Sequence, residues 1–322
     1  MIVFVTARFY ERTVRFFTEN KFKLDLPSTR VWTYDQLFRA DQVPAATFIF
    51  TDLERLSPWE ARLAGRVFRT LQRAGLRCLN DPARVLTRFR LLRALHKAGI
   101  NPFNVYRADD DPMPRRFPVF IRAEQGHGGV FGGLLPSQEE LDAQLALLVN
   151  RGAVLTGLLV VEFCGEPIAP GIWRRFGTFK IGERLHVNHH VTQDSWMVRA
   201  GTPGLCPDWL YVVENETVVQ NRYPPAVEEA FRISGIEYGR ADHGLFEGRD
   251  VVFEINTNPS IGTQSRLQTP LRDLTIAFSR AMLAQDLWKV DSGDGSPLEI
   301  PVSSQLAGFR ARAGESLSAW RP

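Results

Sequence analysis

The sequence predicts an α/β protein whose C-terminal half is α+β. Strands alternate with helices through the first 80 residues, a glycine-rich turn joins two strands near residue 130, and an acidic hairpin lies near residue 250. The chain has 322 residues, of which 44% are hydrophobic and 23% charged. These values are typical of a folded protein with room for about two domains.

The first unit, residues 1–80, is predicted to be a small parallel α/β domain. Ile2–Val5 and Thr47–Phe50 are short apolar runs typical of buried strands, and each is followed by a helical stretch. Ser57–Glu60 is a capping box with proline at the first helical position, and Gly75 ends that helix. A third strand is predicted at Arg77–Leu79. Strands separated by helices favour parallel pairing.

The second unit, residues 81–155, is predicted to carry a glycine-rich loop. Asn80–Pro82 opens a helix with apolar positions on one side, which ends at Gly99. Phe117–Arg122 is a predicted strand, and the glycine-rich Gln125–Gly133 leads from it into a second strand. Ser137–Glu140 has the pattern of a capping box and begins another helix.

The third unit, residues 156–290, begins within a Val- and Leu-rich strand predicted over Val154–Phe163. A hairpin is predicted over Phe176–Val191 around Gly182-Glu183, and a helix between Pro224 and Gly235. From residue 291 the chain is rich in Gly, Ser, Pro and Arg. Residues 291–322 are therefore expected to form a loosely held tail.

Composition excludes several classes of protein. No apolar run reaches the roughly 20 residues of a membrane span, and Thr6–Arg8 interrupts the apolar start too early for a signal peptide. We therefore expect a cytoplasmic location and no membrane partner. The formal charge of only +3, without a basic stripe, gives no reason to expect a nucleic-acid partner. The three cysteines lie far apart, which indicates neither a zinc site nor a disulfide framework.

The segment 239–259 carries the strongest chemical signal. A hairpin centred on Gly248 pairs residues equidistant from it, so that Asp242 faces Glu254 and Arg240 faces Asn256. Strand side chains alternate between faces, so all four lie on one face. A two-residue turn would break this agreement. The opposite face is expected to be pinned in the core by three apolar residues, Val251, Phe253 and Ile255.

Two facing carboxylates repel unless a cation lies between them. Two carboxylates beside an amide oxygen suit Mg²⁺, which binds carboxylates together with phosphate oxygens. Arg240 beside that metal would contact a transferring phosphate or a developing oxyanion. Replacement of Asp242 or Glu254 by its amide is expected to leave folding intact, because one repelling charge is removed.

The segment resembles the metal-binding end of the ATP-grasp superfamily. Arg240-Ala-Asp242 and Glu254-Ile-Asn-Thr-Asn-Pro259 are similar to the corresponding motifs of D-alanine:D-alanine ligases. The resemblance covers about residues 80–285. It implies an ATP-grasp fold preceded by a Rossmann-like α/β unit, ATP and Mg²⁺ as cofactors, and the activity of a carboxylate-amine ligase.

The resemblance also implies site residues, in the order that the family uses. Arg88 and Arg122 stand where phosphate-binding lysines are usual, in a chain whose 39 basic residues include only five lysines. The loop residues Gly126, Gly128 and Gly129 resemble the glycine-rich loop that closes over phosphates. The segment Val160–Cys164 resembles the adenine hinge. The hinge candidates are Glu162, Phe163 and Cys164, with Glu166 for the ribose, and the metal ligands would be Asp242, Glu254 and Asn256.

The substrate side departs from the D-alanine:D-alanine ligases. Ser260 stands where they have glycine, and nothing near Thr6–Arg12 resembles their N-terminal substrate motif, so D-alanine is not the expected substrate. The run 173–180 stands where the ATP-grasp superfamily often places an arginine near the γ-phosphate and the acceptor. Its candidates are Arg174, Arg175 and Lys180, and Arg175 is taken here as the substrate residue.

Further candidates are less specific. Trp196 and Arg199 precede a Gly-Pro loop and are interpreted as lining an acceptor site, together with Asn258 and Ser260. His127 in the glycine loop either donates to a phosphate or is an exposed loop residue. Three more histidines have no Cys or acidic partner at zinc spacing and are interpreted as structural: His186, His189 and His190.

The expected reaction is phosphorylation of a substrate carboxylate by ATP, followed by attack of an amine on the acyl phosphate. The partners would be small-molecule or peptide carboxylates and amines, and homo-oligomer formation is compatible with the sequence. Two alternatives stay open at this point. One is an ATP-grasp kinase of a small molecule, and the other is a nucleotide-binding module that serves a partner protein.

Overall fold

The computed structural model describes residues 1–20, 22–126, 129–259 and 269–308. The strands are β1 Ile2–Thr6, β2 Thr29–Thr33, β3 Gln42–Pro44, β4 Thr47–Phe50, β5 Cys78–Leu79, β6 Val105–Arg107, β7 Val119–Ala123, β8 Val130–Leu135, β9 Leu158–Glu162, β10 Trp173–Ile181, β11 Arg184–Val187, β12 Val191–Gln193, β13 Tyr238–Phe246, β14 Arg249–Asn256 and β15 Pro297–Glu299. The helices are α1 Arg15–Glu19, α2 Tyr34–Phe38, α3 Pro58–Arg73, α4 Arg88–Lys97, α5 Gln138–Asn150, α6 Asp208–Val219, α7 Pro225–Ser234 and α8 Pro270–Val290.

The N-terminal sheet is parallel, in the order β2-β1-β4-β5. The predicted strands β1 and β4 are confirmed, and both are fully buried. Ser57 caps α3 in a reciprocal capping box with Glu60, as the sequence predicts. β2 was not predicted, because this partly exposed edge strand lacks a continuous apolar run.

The expectation of a loosely held tail is wrong for residues 291–308. β15 pairs antiparallel with β3, and Ile300 and Val302 are buried in the core of the N-terminal domain. The Met1 ammonium group forms an ion pair with Asp291. A few apolar positions therefore anchor a segment whose overall composition is polar. Residues 309–322, the rest of the predicted tail, lie outside the described residues.

The middle sheet is antiparallel, in the order β6-β9-β7-β8, and α5 packs on it. Because β9 pairs with both β6 and β7, it belongs to this sheet, although the predicted boundary at residue 155 assigned it to the third unit. Ser137 caps α5 by accepting from the backbone N–H of Glu140. The strand, loop, strand and helix order of this unit is as predicted.

Helix α4 begins at Arg88, later than predicted. The predicted start at Asn80–Pro82 is a turn in which Asp81 accepts from the backbone N–H of Ala83. Leu86 then donates its backbone N–H to Ser234 at the end of α7, instead of entering a helix. This extended entry places Arg88 in the first turn of the helix.

The C-terminal sheet is antiparallel, in the order β11-β10-β13-β14, with β12 also paired to β10. The hairpin turning at Gly182-Glu183 and the helix α7 are confirmed. α8 packs against β10 and β11 and against the N-terminal core. Among the described residues, no helix has the length and apolar character needed to span a membrane.

The β13–β14 hairpin pairs Asp242 with Glu254 and Arg240 with Asn256, as predicted. The predicted turn is wrong, because β13 and β14 are joined by the two residues Glu247 and Gly248. A β-bulge restores the register.

The bulge inserts Phe253 opposite the Asp242–His243 step. The extra residue also changes which side chains reach the core. Val252 and Ile255 pack with Ala241, whereas Phe253 lines the cavity described below. The expectation that Val251, Phe253 and Ile255 share the core face is therefore wrong.

Candidate functional site

A cavity of about 400 Å³ lies between the middle sheet and the C-terminal sheet. Six aromatic side chains line its apolar part together with aliphatic ones: Phe103, Phe120, Phe163, Trp173, Trp196 and Phe253. Its charged end contains both signs, from Arg122, Arg175, Arg199, Asp242 and Glu254. The cavity therefore offers a flat apolar surface at one end and an ionic cluster at the other.

The two facing carboxylates are each held by two arginines. Glu254 Oε2 accepts from Arg88 Nη2 at 2.7 Å and from Arg122 Nη2 at 3.0 Å. Asp242 accepts from Arg240 Nε at 2.9 Å and forms a short ion pair with Arg175. These four guanidinium groups and two carboxylates, which we call the arginine–carboxylate cluster, carry an excess of two positive charges.

The structure selects among the candidates on β10. Arg175 contacts Asp242 within the cluster. Arg174 is buried and donates to the backbone oxygen of Leu210, and Lys180 lies over the ring of Phe231. Arg175 is therefore the cation of this run that is placed beside the predicted metal carboxylate.

Arg122 lies in a strongly desolvated position. Burial lowers the pKa of Arg122, the nearby Glu254 opposes that shift, and the positive charge of Arg88 adds to it. The Nε atoms of Arg88 and Arg122 are buried without a hydrogen-bond partner among the described residues. A bound anion would relieve both costs.

Arg88 also organises the entrance to the glycine loop. Its Nη1 donates to the backbone oxygens of Ala123, Glu124 and Gly126, at 3.2, 2.7 and 3.2 Å. Because its Nη2 is bonded to Glu254, one side chain joins the end of β7 to the hairpin. This double contact needs the forked guanidinium, which a lysine lacks.

The glycine loop requires residues without a side chain at both described ends. Gly126 and Gly129 have φ of 79° and 100°, in the region that favours glycine. A Cβ at Gly129 would lie only 3.0 Å from the Arg199 guanidinium. Arg199 therefore reaches the glycine loop. His127 and Gly128, also predicted here, lie outside the described residues.

The hinge residues line the cavity, but the Glu162 carboxylate is engaged elsewhere. It accepts from the backbone N–H groups of Asn104, Arg115 and Arg116 and from the Tyr106 hydroxyl. The Glu162 carboxylate therefore fixes the segments around residues 104 and 115–116 beside the middle sheet, and it cannot at the same time accept from an adenine amino group. The backbone of this hinge segment, with Phe163 and Cys164, remains at the cavity wall.

The Glu166 carboxylate is likewise engaged. It accepts from the backbone N–H groups of Glu247, at 2.7 Å, and Gly248, at 3.3 Å. It thus clamps the β13–β14 turn, a role that differs from the predicted contact with a ribose. The Cys164 thiol has a pKa raised to about 11, chiefly by burial, and stays protonated at neutral pH.

Trp196 belongs to the aromatic end of the cavity. Its ring lies 5.2 Å from Phe120 and 5.2 Å from Phe163, and Phe163 lies 5.9 Å from Trp173. The segment after β12 therefore crosses from the C-terminal sheet to the hinge. The interpretation of Trp196 as an acceptor residue does not fit this position, which is beside the hinge.

The histidines have structural surroundings. His186 pairs with Asp286 at 2.7 Å, and the His190 ring lies 4.7 Å from Phe176. Burial, with nearby arginines, lowers the pKa of His189 to about 3. Within the described ranges, no group of three or more His, Cys, Asp or Glu side chains could hold a metal ion on its own.

Asn258 connects the hairpin to the N-terminal domain. Its Nδ2 donates to Asp52 Oδ2 at 2.8 Å and to the backbone oxygen of Tyr10 at 3.2 Å. Sequence reasoning missed Asp52, although its place at the carboxyl end of β4 is a usual position for binding groups. Ser260, the other substrate residue predicted in this part of the sequence, lies outside the described residues.

The predicted metal ligands fit a hard divalent cation by their chemistry. Asp242 and Glu254 are cross-strand neighbours, and Asn256 follows on the same strand as Glu254. All three offer oxygen, the donor that Mg²⁺ prefers. Both carboxylates are now ion-paired with the cluster arginines. A cation could bind them only together with an anion that forms ion pairs with those arginines.

No protein-family model and no curated protein matches the chain, whereas solved structures share its fold. The chain has the ATP-grasp fold. Two structures of the D-alanine–D-alanine ligase of Bacillus anthracis, one complexed with ATP, each match with a TM-score of 0.50 and 12% identity, over 97% of this chain and 99% of that chain. A RimK domain ATP-grasp protein of Sphaerobacter thermophilus matches with a TM-score of 0.46 and 16% identity, over 89% and 99%.

Proposed function

We propose that this chain is an ATP-dependent ligase that joins a carboxylate to an amine through an acyl phosphate. The observation that carries the proposal is the cavity itself, which places an aromatic, backbone-lined end next to the arginine–carboxylate cluster. A nucleoside triphosphate has the matching chemistry, with a flat base at one end and a polyanion at the other.

The adenine would lie against Phe163, Trp173 and Trp196, with its polar edge on the backbone of the hinge. The phosphates would extend toward Arg122 and the glycine loop, where backbone N–H groups can approach an anion closely. Arg88, already bonded to that loop, would meet the same phosphates. Both arginines would then replace the lysines that are usual in this fold.

Charge supports the same arrangement. The cluster has two positive charges in excess, and a triphosphate brings about four negative charges near neutral pH. Phosphate oxygens would draw guanidinium groups away from Asp242 and Glu254. The released carboxylates, with Asn256, would hold Mg²⁺, which when bound neutralises phosphate charge and orients the γ-phosphoryl group.

In the first step, an oxygen of the acid's carboxylate would attack the γ-phosphorus, the bond to ADP would break, and an acyl phosphate would form. An amine would then attack the acyl carbon, phosphate would leave, and the amine would lose its proton. Arg240 and Arg175 would stabilise the charge that develops on the transferring group and on the tetrahedral oxyanion. No protein nucleophile is needed.

The test is incubation of the protein with Mg-ATP and defined pools of acids and amines, followed by mass spectrometry. The proposal expects ADP, phosphate and an amide. ADP with a stable phosphorylated acid would indicate a kinase, and ATP binding without turnover would indicate a module that serves a partner. Asp242→Asn should abolish ADP formation, and its turnover at the wild-type rate would contradict the assignment.

A further inference from the structure

Arg55 is a preorganised cation of the N-terminal domain. It ends the short 3₁₀ turn Leu53–Arg55 after β4. Its Nε donates to Asp52 at 3.3 Å, and its guanidinium lies 3.6 Å from the ring centroid of Tyr10. Its side chain is only 16% exposed. Stacking on an aromatic ring and bonding to a carboxylate fix the orientation of the fork before any ligand binds.

The anchor of Arg55 is itself built into the domain. The Asp52 carboxylate is 2% exposed and also accepts from the Thr6 hydroxyl, the Ala7 backbone N–H and Asn258 Nδ2. Asp52 has φ of 54°, in the left-handed region that is unfavourable for a residue other than glycine. A strained residue that is bonded to four donors is well suited to hold a cation in one place.

The outer edge of Arg55, formed by Nη1 and Nη2, has no hydrogen-bond acceptor among the described residues. Asp52 spreads its negative charge over four donors, so it balances the arginine only in part. The four N–H groups of the Nη edge therefore form an open fork that matches two oxygens of an anion.

The fork lies beside the described start of the glycine loop. Nη1 lies 3.8 Å from where a Cβ of Gly126 would be, and the Gly126 oxygen accepts from Arg88. Arg88 in turn binds Glu254. Asn258, two residues after the end of β14, donates to Asp52. Arg55 thus lies where the N-terminal domain meets the glycine loop and the predicted metal ligands, away from the aromatic end.

We propose that Arg55 is a specificity residue that binds a second anionic group of the acid substrate, so that the acid is a dianion. This inference rests on the proposed ligase function. An acid whose reacting carboxylate lies at the cluster would direct its remaining atoms toward the N-terminal domain. There a carboxylate or phosphate would complete the open fork of Arg55.

A substrate with an ammonium group in that place would meet a guanidinium. The acidic side chains nearby are engaged, since Asp52 is bonded to four donors and Glu54 accepts from Thr257. A neutral substituent would bury the Nη edge without a partner, which is unfavourable. Both cases favour a dianion over D-alanine or another simple amino acid.

The experiment is calorimetry of the full chain saturated with Mg²⁺ and a non-hydrolysable ATP analogue. The probes are matched pairs that differ in the second group: glutarate with its monoamide, and succinate with butyrate. A third arm uses 3-phosphoglycerate with glycerate, which distinguishes a phosphate from a carboxylate. D-Alanine represents an ammonium-bearing monocarboxylate.

We expect the dianion of at least one pair to bind about ten- to a hundredfold more tightly than its neutral partner, the effect of one charge-assisted contact. Arg55→Gln should remove that preference and leave the affinity for the ATP analogue unchanged. Arg55→Lys should keep part of it, because charge remains but the fork is lost. Arg69→Gln, a change at an exposed arginine of the same domain, is the matched control.

Equal binding or no binding of dianions and neutral partners would overturn the inference, as would a preference that survives in Arg55→Gln. If Arg55→Gln instead weakens the ATP analogue, the residue binds nucleotide phosphate and the inference is wrong. Failure of the wild type to bind the analogue at all would contradict the proposed function, which the first titration measures separately. Circular dichroism shows whether each variant is folded.

Discussion

Replacement of Glu254 by glutamine should destabilise the ligand-free protein. Glu254 holds Arg88 at 2.7 Å and Arg122 at 3.0 Å, and the side chains of Glu254, Arg88 and Arg122 are 14%, 7% and 19% exposed. Glutamine keeps the shape and removes the charge, which leaves two poorly solvated guanidinium groups without their carboxylate. This is the reverse of the expectation that loss of one of two facing carboxylates is harmless.

The magnitude follows from burial. Removal of one partner of a buried pair costs about 3 to 5 kcal/mol, and the partial exposure of Glu254 and Arg122 places the loss near the lower value. At about 2 to 4 °C per kcal/mol for chains of 150 to 250 residues, the melting temperature should fall by roughly 6 to 12 °C. ATP should raise the melting temperature of the variant more than that of the wild type, since phosphate replaces the missing carboxylate.

Differential scanning calorimetry, without and with ATP, measures both effects. Glu229→Gln is the matched control, because Glu229 pairs with Arg232 at an exposed site and its loss should leave the melting temperature unchanged. An apo Glu254→Gln protein as stable as the wild type would refute the reasoning. It would mean that Arg88 and Arg122 are adequately solvated without the carboxylate of Glu254.

Three further predictions concern single groups. Arg122→Ala should weaken ATP binding by about ten- to a hundredfold in calorimetry, and unchanged affinity would remove Arg122 from the phosphate site. Arg240→Ala should lower the single-turnover rate of ADP formation by about 10² to 10³ with a smaller effect on ATP affinity, and Arg240→Lys should restore part of it; equal losses of rate and affinity would refute a transition-state role. Burial lowers the pKa of His243 to about 4, and burial with neighbouring arginines lowers the pKa of His189 to about 3. In the unfolded chain both histidines bind protons near the ordinary histidine pKa of about 6.5, whereas in the native chain they stay neutral at that pH. The neutral histidines therefore contribute fully to the free energy of unfolding above pH 6.5, and this contribution is lost as the pH falls toward 4. Urea denaturation should give a lower free energy of unfolding at pH 5 than at pH 7.5, and the difference should be smaller in His243→Asn.

The sequence predicts the facing pairs of the hairpin, but for an incorrect reason. Alternation and a turn at Gly248 place Asp242 opposite Glu254, yet the real turn has two residues and a bulge at Phe253 restores the pairing. A bulge leaves no local mark that alternation could reveal, because Phe253 suits either face of a strand. Because the bulge could not be predicted, the prediction that Val251, Phe253 and Ile255 share the core face was wrong.

Hydrogen-bond partners that are far apart in the sequence were harder to predict from the sequence. The family resemblance implied Arg88 and Arg122 as site residues, and both arginines lie in one cluster. Glu162 has the same place in that order, but its carboxylate is directed to the backbone of residues 104 and 115–116. Local pattern cannot decide which of two neighbouring sets of donors a carboxylate meets.

Under the proposed function, the arginine–carboxylate cluster makes nucleotide and metal bind with positive cooperativity. Before ligands arrive, both carboxylates are paired with guanidinium groups, so either ligand alone must break ion pairs and leave some of these charges unmatched. Together they satisfy both sets. The coupling free energy is reciprocal, so any factor by which ATP raises the affinity for Mg²⁺ is the factor by which Mg²⁺ raises the affinity for ATP. A resting site of this kind would discriminate against metal-free nucleotide and against free divalent cations alike.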